Sequence, residues 1–113
     1  MTKTFEFKVL VKFDRTAQCW VARGVNYDIA AQADTIDELT TAFGREVVAQ
    51  IIADLMASKE PLADCPRAPE QVCEQFEHAL QTKAEREYAL PSDLPVPPPY
   101  QIATQLRDLR ICG

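Results

Sequence analysis

The side chains of this 113-residue chain that could do chemistry are few and scattered. The only histidine, His78, could act as a general base or, with Cys65 and Cys73, supply three of the four ligands that a structural zinc ion takes. Their spacing is irregular and no fourth ligand is evident, so zinc is set aside. His78 follows Glu74 by four residues on the polar flank of an expected helix, which predicts an exposed histidine paired with a carboxylate. A Cys-His nucleophile needs a third group to orient its base, and none is identifiable. Paired carboxylates could hold two metal ions for nuclease chemistry. Here Asp14 falls at a strand end and Glu6 on the polar face of its own strand, with no second acidic strand to complete a cluster. Gly24, Gly44 and Gly113 stand alone, so there is no glycine-rich phosphate loop and nucleotide hydrolysis is disfavoured. Phe13, Asp14, Ala17, Trp20, Val21 and Ala22 could surround a ligand with the single tryptophan. The reading adopted is a hairpin in which Trp20 packs across the strands, as cross-strand aromatics ordinarily do. No residue is assigned a catalytic, cofactor-binding or metal role, and the chain is read as a non-enzyme.

The elements that position these residues are organised around the stretch Asp34 to Ala57. Ile36, Leu39, Phe43, Val47, Ile51 and Leu55 recur at steps of three and four, which lines one face of a helix. Ala42, Val48, Ile52 and Met56 widen that stripe enough to meet a sheet on one flank and a second helix or subunit on the other. Thr35 followed by Glu38 matches a capping box and fixes the helix start. Ahead of it, Phe5, Phe7, Val9, Val11 and Phe13 alternate with Glu6, Lys8 and Lys12, the period of a half-buried strand. If buried, Phe7 or Phe13 truncated to Ala should cost about 3–5 kcal/mol. Asp14 to Gln18 supplies a turn, with Asp14 suited to bond the backbone two residues on. Cys19 to Arg23 returns as a second strand, Gly24 to Asp28 breaks the chain again, and Ile29, Ala31 and Ala33 alternate in a short third strand.

Past the long helix, Pro61, Pro66 and Pro69 impose a loop, and Pro69 can open a new helix. Val72, Phe76, Leu80 and Ala84 then recur every four residues, with Glu70, Glu74, Glu77, Glu85 and Glu87 on the outer faces. Residues 90–99 include five prolines from Pro91 on and read as an extended connector. In the tail, Ile102, Leu106 and Leu109 have helical spacing, whereas Tyr100, Ile102, Thr104 and Leu106 alternate as a strand; the strand is preferred. The expected architecture is α+β: a three-stranded antiparallel sheet packed by a long helix, then a second helix, the proline-rich connector and a C-terminal strand. It forms one domain over residues 1–113, with a core at 4–57, the second helix at 69–88, the connector at 90–99 and the last strand at 100–112.

Composition narrows the functional classes. Hydrophobic residues make up 47% and charged residues 26%, a globular balance rather than a disordered one. The net charge of -5 repels phosphate, and Lys3, Lys8, Lys12, Arg15 and Arg23 are spread out rather than gathered. A basic protein is the easier partner. No apolar run approaches a membrane span, and the N-terminus lacks the pattern of a secretory signal, which predicts a cytoplasmic protein without membrane association. Cys19, Cys65, Cys73 and Cys112 show no CxxC spacing, so reduced thiols are expected.

The run from Phe7 to Leu55 resembles the HicB-like, antitoxin-related family. The resemblance rests on the alternating strand ending in Phe13-Asp14, on Ala17 and Trp20-Val21-Ala22, and on Ala33-Asp34-Thr35 leading through Asp37-Glu38-Leu39 into the helix. It covers somewhat under half of the chain and includes no catalytic signature. It implies a three-stranded antiparallel sheet, a helix and a further strand, a partial ribonuclease-H-like arrangement without its catalytic acids. It also implies a protein that occludes a small basic RNA-cleaving toxin of the HicA type, often repressing its own operon through a C-terminal DNA-binding module. The chain departs from that pattern by lacking the glycine often found before the third strand. Its C-terminus departs further, since the roughly thirteen residues after the connector cannot build a helix-turn-helix or ribbon-helix-helix. DNA binding is therefore not carried over. The expected protein is a HicB-like binding module and a homo-oligomer; the alternative is a structural domain that self-associates through a sheet edge or the long helix.

Overall fold

A computed structural model describes residues 3–82, 87–88 and 94–108. The chain runs β1 (Lys3–Asp14), β2 (Cys19–Gly24), β3 (Ala30–Ala33), α1 (Ile36–Met56), α2 (Glu70–Thr82), β4 (Glu87–Tyr88) and β5 (Tyr100–Asp108). The α+β class and the hairpin leading into a long helix agree with the alternation and periodicity of the sequence.

The sheet is larger than the sequence suggests. Among the described residues five strands lie in the order β3-β2-β1-β5-β4, with β1 at the centre. β1 pairs antiparallel with β2, from Val9 opposite Gly24 to Asp14 opposite Cys19, and β2 pairs antiparallel with β3. On its other side β1 pairs parallel with β5, from Lys3 opposite Tyr100 to Val11 opposite Asp108. The sheet is thus mixed, and the tail takes its strand reading as a neighbour of the central strand. A parallel neighbour needs a long crossover, which α2 and the connector provide.

Each strand break has its own chemistry. Asp14 Oδ1 accepts hydrogen bonds from the amides of Thr16 at 2.9 Å and Ala17 at 3.1 Å, which closes the first turn. After β2, Asn26 holds the loop to β1: its Oδ1 accepts from the Lys8 amide at 3.0 Å and its amide group donates to the Glu6 carbonyl at 2.6 Å. Gly24 is required there, because a Cβ would collide with the Tyr27 carbonyl oxygen. The third strand begins at Ala30 rather than Ile29, whose carbonyl accepts from the Gly24 amide at 2.8 Å.

α1 covers one face of the sheet. The Thr35 hydroxyl accepts from the Glu38 amide at 3.1 Å, one half of the capping box; the return bond from the Thr35 amide to the Glu38 carboxylate is not among the hydrogen bonds of the described residues. Leu39, Phe43, Val47 and Ile51 then bury against Phe5, Phe7, Val9, Val11 and Ala22 in the main core. Phe13 does not join it. The strand outruns its cover at that end, leaving Phe13 43% exposed and packed edge-on against Trp20 at a centroid distance of 5.3 Å. The stripe of α1 likewise outruns the sheet at its C-terminal end, where Ile52, Leu55 and Met56 are exposed.

α2 covers the opposite face in a second cluster made by Leu10, Val25, Ala68, Val72 and Phe76. Leu10 interrupts the polar row of Glu6, Lys8 and Lys12 and anchors this layer. Pro69 sits just ahead of the helix, its carbonyl accepting from the Val72 amide at 2.9 Å. α2 is described from Glu70 to Thr82, and Glu87 and Tyr88, expected within a helix over 69–88, instead pair with β5 as a short edge strand. The first part of the connector at 90–93 and the last expected strand residues at 109–112 lie outside the described residues. From Leu94 the connector is seated on α1: Leu94 packs so closely over Gly44 that a Cβ there would stand 2.6 Å from its methyl group. Val96 packs against the main core, and the Pro99 carbonyl accepts from the Lys3 amide at 2.9 Å.

Candidate binding surface

The residues considered for chemistry are held apart by these elements. Cys65 packs against the main core under α1, whereas Cys73 packs against the cluster under α2, so the sheet separates the two thiols. Among the described residues no three histidine, cysteine or acidic side chains converge as a metal site. Glu6 and Asp14 sit on one strand about 26 Å apart at the usual strand rise, and Asp14 is committed to its turn. His78 is exposed on α2, and the expected pair with Glu74 is not among the ion pairs of the described residues. Trp20 packs across the hairpin opposite Phe13 rather than enclosing a pocket.

Two ion pairs pin loops instead of building a reactive centre. Arg23 donates to both carboxylate oxygens of Asp28, at 3.0 and 3.2 Å, and this hydrogen bond holds its guanidinium still more firmly protonated than usual. Lys3 donates to Glu60 at 2.7 Å and lies over the Phe5 ring; the Glu60 hydrogen bond raises its ammonium above the usual lysine value. Burial pushes the Cys65 thiol up, partly offset by a hydrogen bond with the Asp28 backbone. A thiol held neutral is a poor nucleophile. Neither pair was legible in the sequence, because their partners meet only once the loop after β2 and the loop after α1 have folded.

The surface features with binding chemistry are broad. Glu70, Glu74 and Glu77 lie exposed along α2, beside an open groove of about 650 Å³ that also includes Arg67, Cys73 and His78. A smaller cleft of about 400 Å³ lies beneath the Lys3–Glu60 pair, walled by Phe5 and Tyr27. At the far end of α1, Ile52, Leu55 and Met56 form an apolar step that the described residues leave uncovered. No described helix is long and apolar enough to cross a membrane. Among the described residues neither of these clefts gathers convergent polar groups around an enclosed cavity. Comparison with family models, curated proteins and solved structures finds no match for the chain.

Proposed function

We propose that this protein is a non-enzymatic, HicB-like binding module that occludes a small basic protein, with an RNA-cleaving toxin of the HicA type as the candidate partner. The observation that supports the reading is the order of the first elements, three antiparallel strands followed by a Thr35-capped helix, as the resemblance implies; α2 and β4 then precede the further strand β5. The net charge of -5 and the exposed glutamates of α2 supply an attractive field for a basic partner. The C-terminal part departs from the family pattern, so repression of an operon is not part of the proposal.

The test is an affinity pull-down of the tagged protein from its native host at low salt, followed by mass spectrometry. Recovery of a small basic protein in fixed ratio, with RNA-cleaving activity that this chain suppresses, is the expected result. Recovery of the protein alone contradicts it.

A second reading, self-association without a partner, is favoured by the apolar step of Ile52, Leu55 and Met56, of which Met56 is 83% exposed. It expects a defined homo-oligomer that loses its contact in Met56→Lys, measured by light scattering.

A further inference from the structure

The outer edge of β3 is a free hydrogen-bonding rail. β3 ends the strand order, so among the described residues nothing pairs with its outer side. Which groups face outward follows from the register. β2 and β3 pair with Ala22 opposite Ala31 and Arg23 opposite Ala30, and the same register sets Gly24 opposite Ile29, where the Gly24 amide donates to the Ile29 carbonyl. Hydrogen-bonded pairs alternate along an antiparallel ladder. Ala31 and Ala33 therefore turn their amides and carbonyls toward β2, and Ala30 and Gln32 turn theirs outward.

Of the usual protections this edge carries only its shortness, four residues. Sheet edges are ordinarily guarded by lysine, proline, a bulge or a covering loop. The sequence of β3 is Ala-Ala-Gln-Ala, without proline or charge, and its small side chains leave the backbone approachable. Ala30 and Gln32 are exposed. Directly after the strand come Asp34, Asp37 and Glu38, all exposed and in no ion pair with another described residue. Pairing of this edge with a second copy in the two-fold register, Ala30 opposite Gln32, would set Asp34 of each copy opposite Asp28 of the other. Like charges so placed are unfavourable. A basic strand meets opposite charge instead.

We infer that β3 is the docking edge for an added strand from a basic polypeptide, held by the outward amides and carbonyls of Ala30 and Gln32 and steered by Asp34, Asp37 and Glu38. The inference rests on the binding-module reading and names its surface. Strand addition of this kind takes affinity from main-chain hydrogen bonds and selectivity from alternate side chains.

The test is a nuclear magnetic resonance titration of the full chain with a short capped peptide of alternating lysine and valine, and with a glutamate–valine peptide as control. Shifts and slowed exchange at the Ala30 and Gln32 amides with the lysine peptide alone are expected. Gln32→Pro removes an outward donor without touching the ladder to β2 and should bind at least about tenfold more weakly. Gln32→Lys, which keeps the strand and opposes the peptide with a like charge, should do the same. Asp34→Asn combined with Asp37→Asn should weaken binding and flatten its salt dependence. Absence of peptide binding, a footprint away from β3, equal binding by both Gln32 variants and the parent, or edge-to-edge dimers of the parent would each overturn the inference. A small basic partner recovered equally by the parent and Gln32→Pro would remove this surface and leave the proposed function standing.

Discussion

Phe7 and Phe13 are the same residue type on the same face of one strand, yet they differ in energy. Phe7 is 1% exposed and touches Phe43 and Tyr27, whereas Phe13 is 43% exposed with Trp20 as its aromatic neighbour. Phe7→Ala should therefore cost about 3–5 kcal/mol, and Phe13→Ala only about 0.5–1.5 kcal/mol from the lost aromatic pair. Urea unfolding of the two variants checks the difference. Period-two alternation tells which face a residue takes but not where the covering helix stops, which is why the two looked equivalent in the sequence. Cys65 gives a pH prediction. Its thiol is raised by burial, so the folded state holds the proton more tightly than the unfolded chain. That contribution is complete below about pH 8.5, the ordinary thiol range, and is lost as pH rises through the folded value. Stability should fall more steeply on the alkaline side in the parent than in Cys65→Ala, as followed by thermal unfolding at a series of pH values.

At the scale of elements, the parts that local patterns control were legible and the parts that depend on distant pairing were not. Thr35 and Glu38 announce the start of α1, and the alternation through Phe5, Phe7, Val9 and Val11 announces β1; both signals lie within a few residues of what they specify. The second cover is signalled only by Leu10, one apolar residue in a polar row, and that signal was weak beside the alternation around it. The helix over 69–88 reaches too far at its end, because the acidic pattern continues through Glu85 and Glu87 while Glu87 and Tyr88 pair with β5. Gly44 read merely as an isolated glycine; its role appears only when Leu94, fifty residues on, lies across it. Gly44→Ala gains helix propensity of about 1 kcal/mol but pushes Leu94 off α1. Its unfolding temperature should change little, while the Val96 amide, which donates to Leu94 at 2.8 Å, should exchange faster. Unchanged exchange at Val96 would mean that the connector is not held through Gly44.

For the whole molecule, the sheet order could not be read from single strands, because an alternating strand looks alike at a centre or an edge. β1 is central only because β5 returns beside it across more than eighty residues of chain. Cys65 and Cys73 are separated by the sheet's two covered faces, and Glu6 and Asp14 by the length of β1 itself. What the described residues show at this scale is an acidic chain with an unpaired edge at β3 and an apolar step on α1, the features on which the proposed binding role rests. The most direct test of that account is the mass and composition of the protein purified from its native host, measured by light scattering and mass spectrometry at low and at high salt. A fixed-ratio complex with a small basic protein, dissolving as salt rises, is the predicted result. The protein by itself at every salt concentration, as a monomer or as a homo-oligomer, would contradict it.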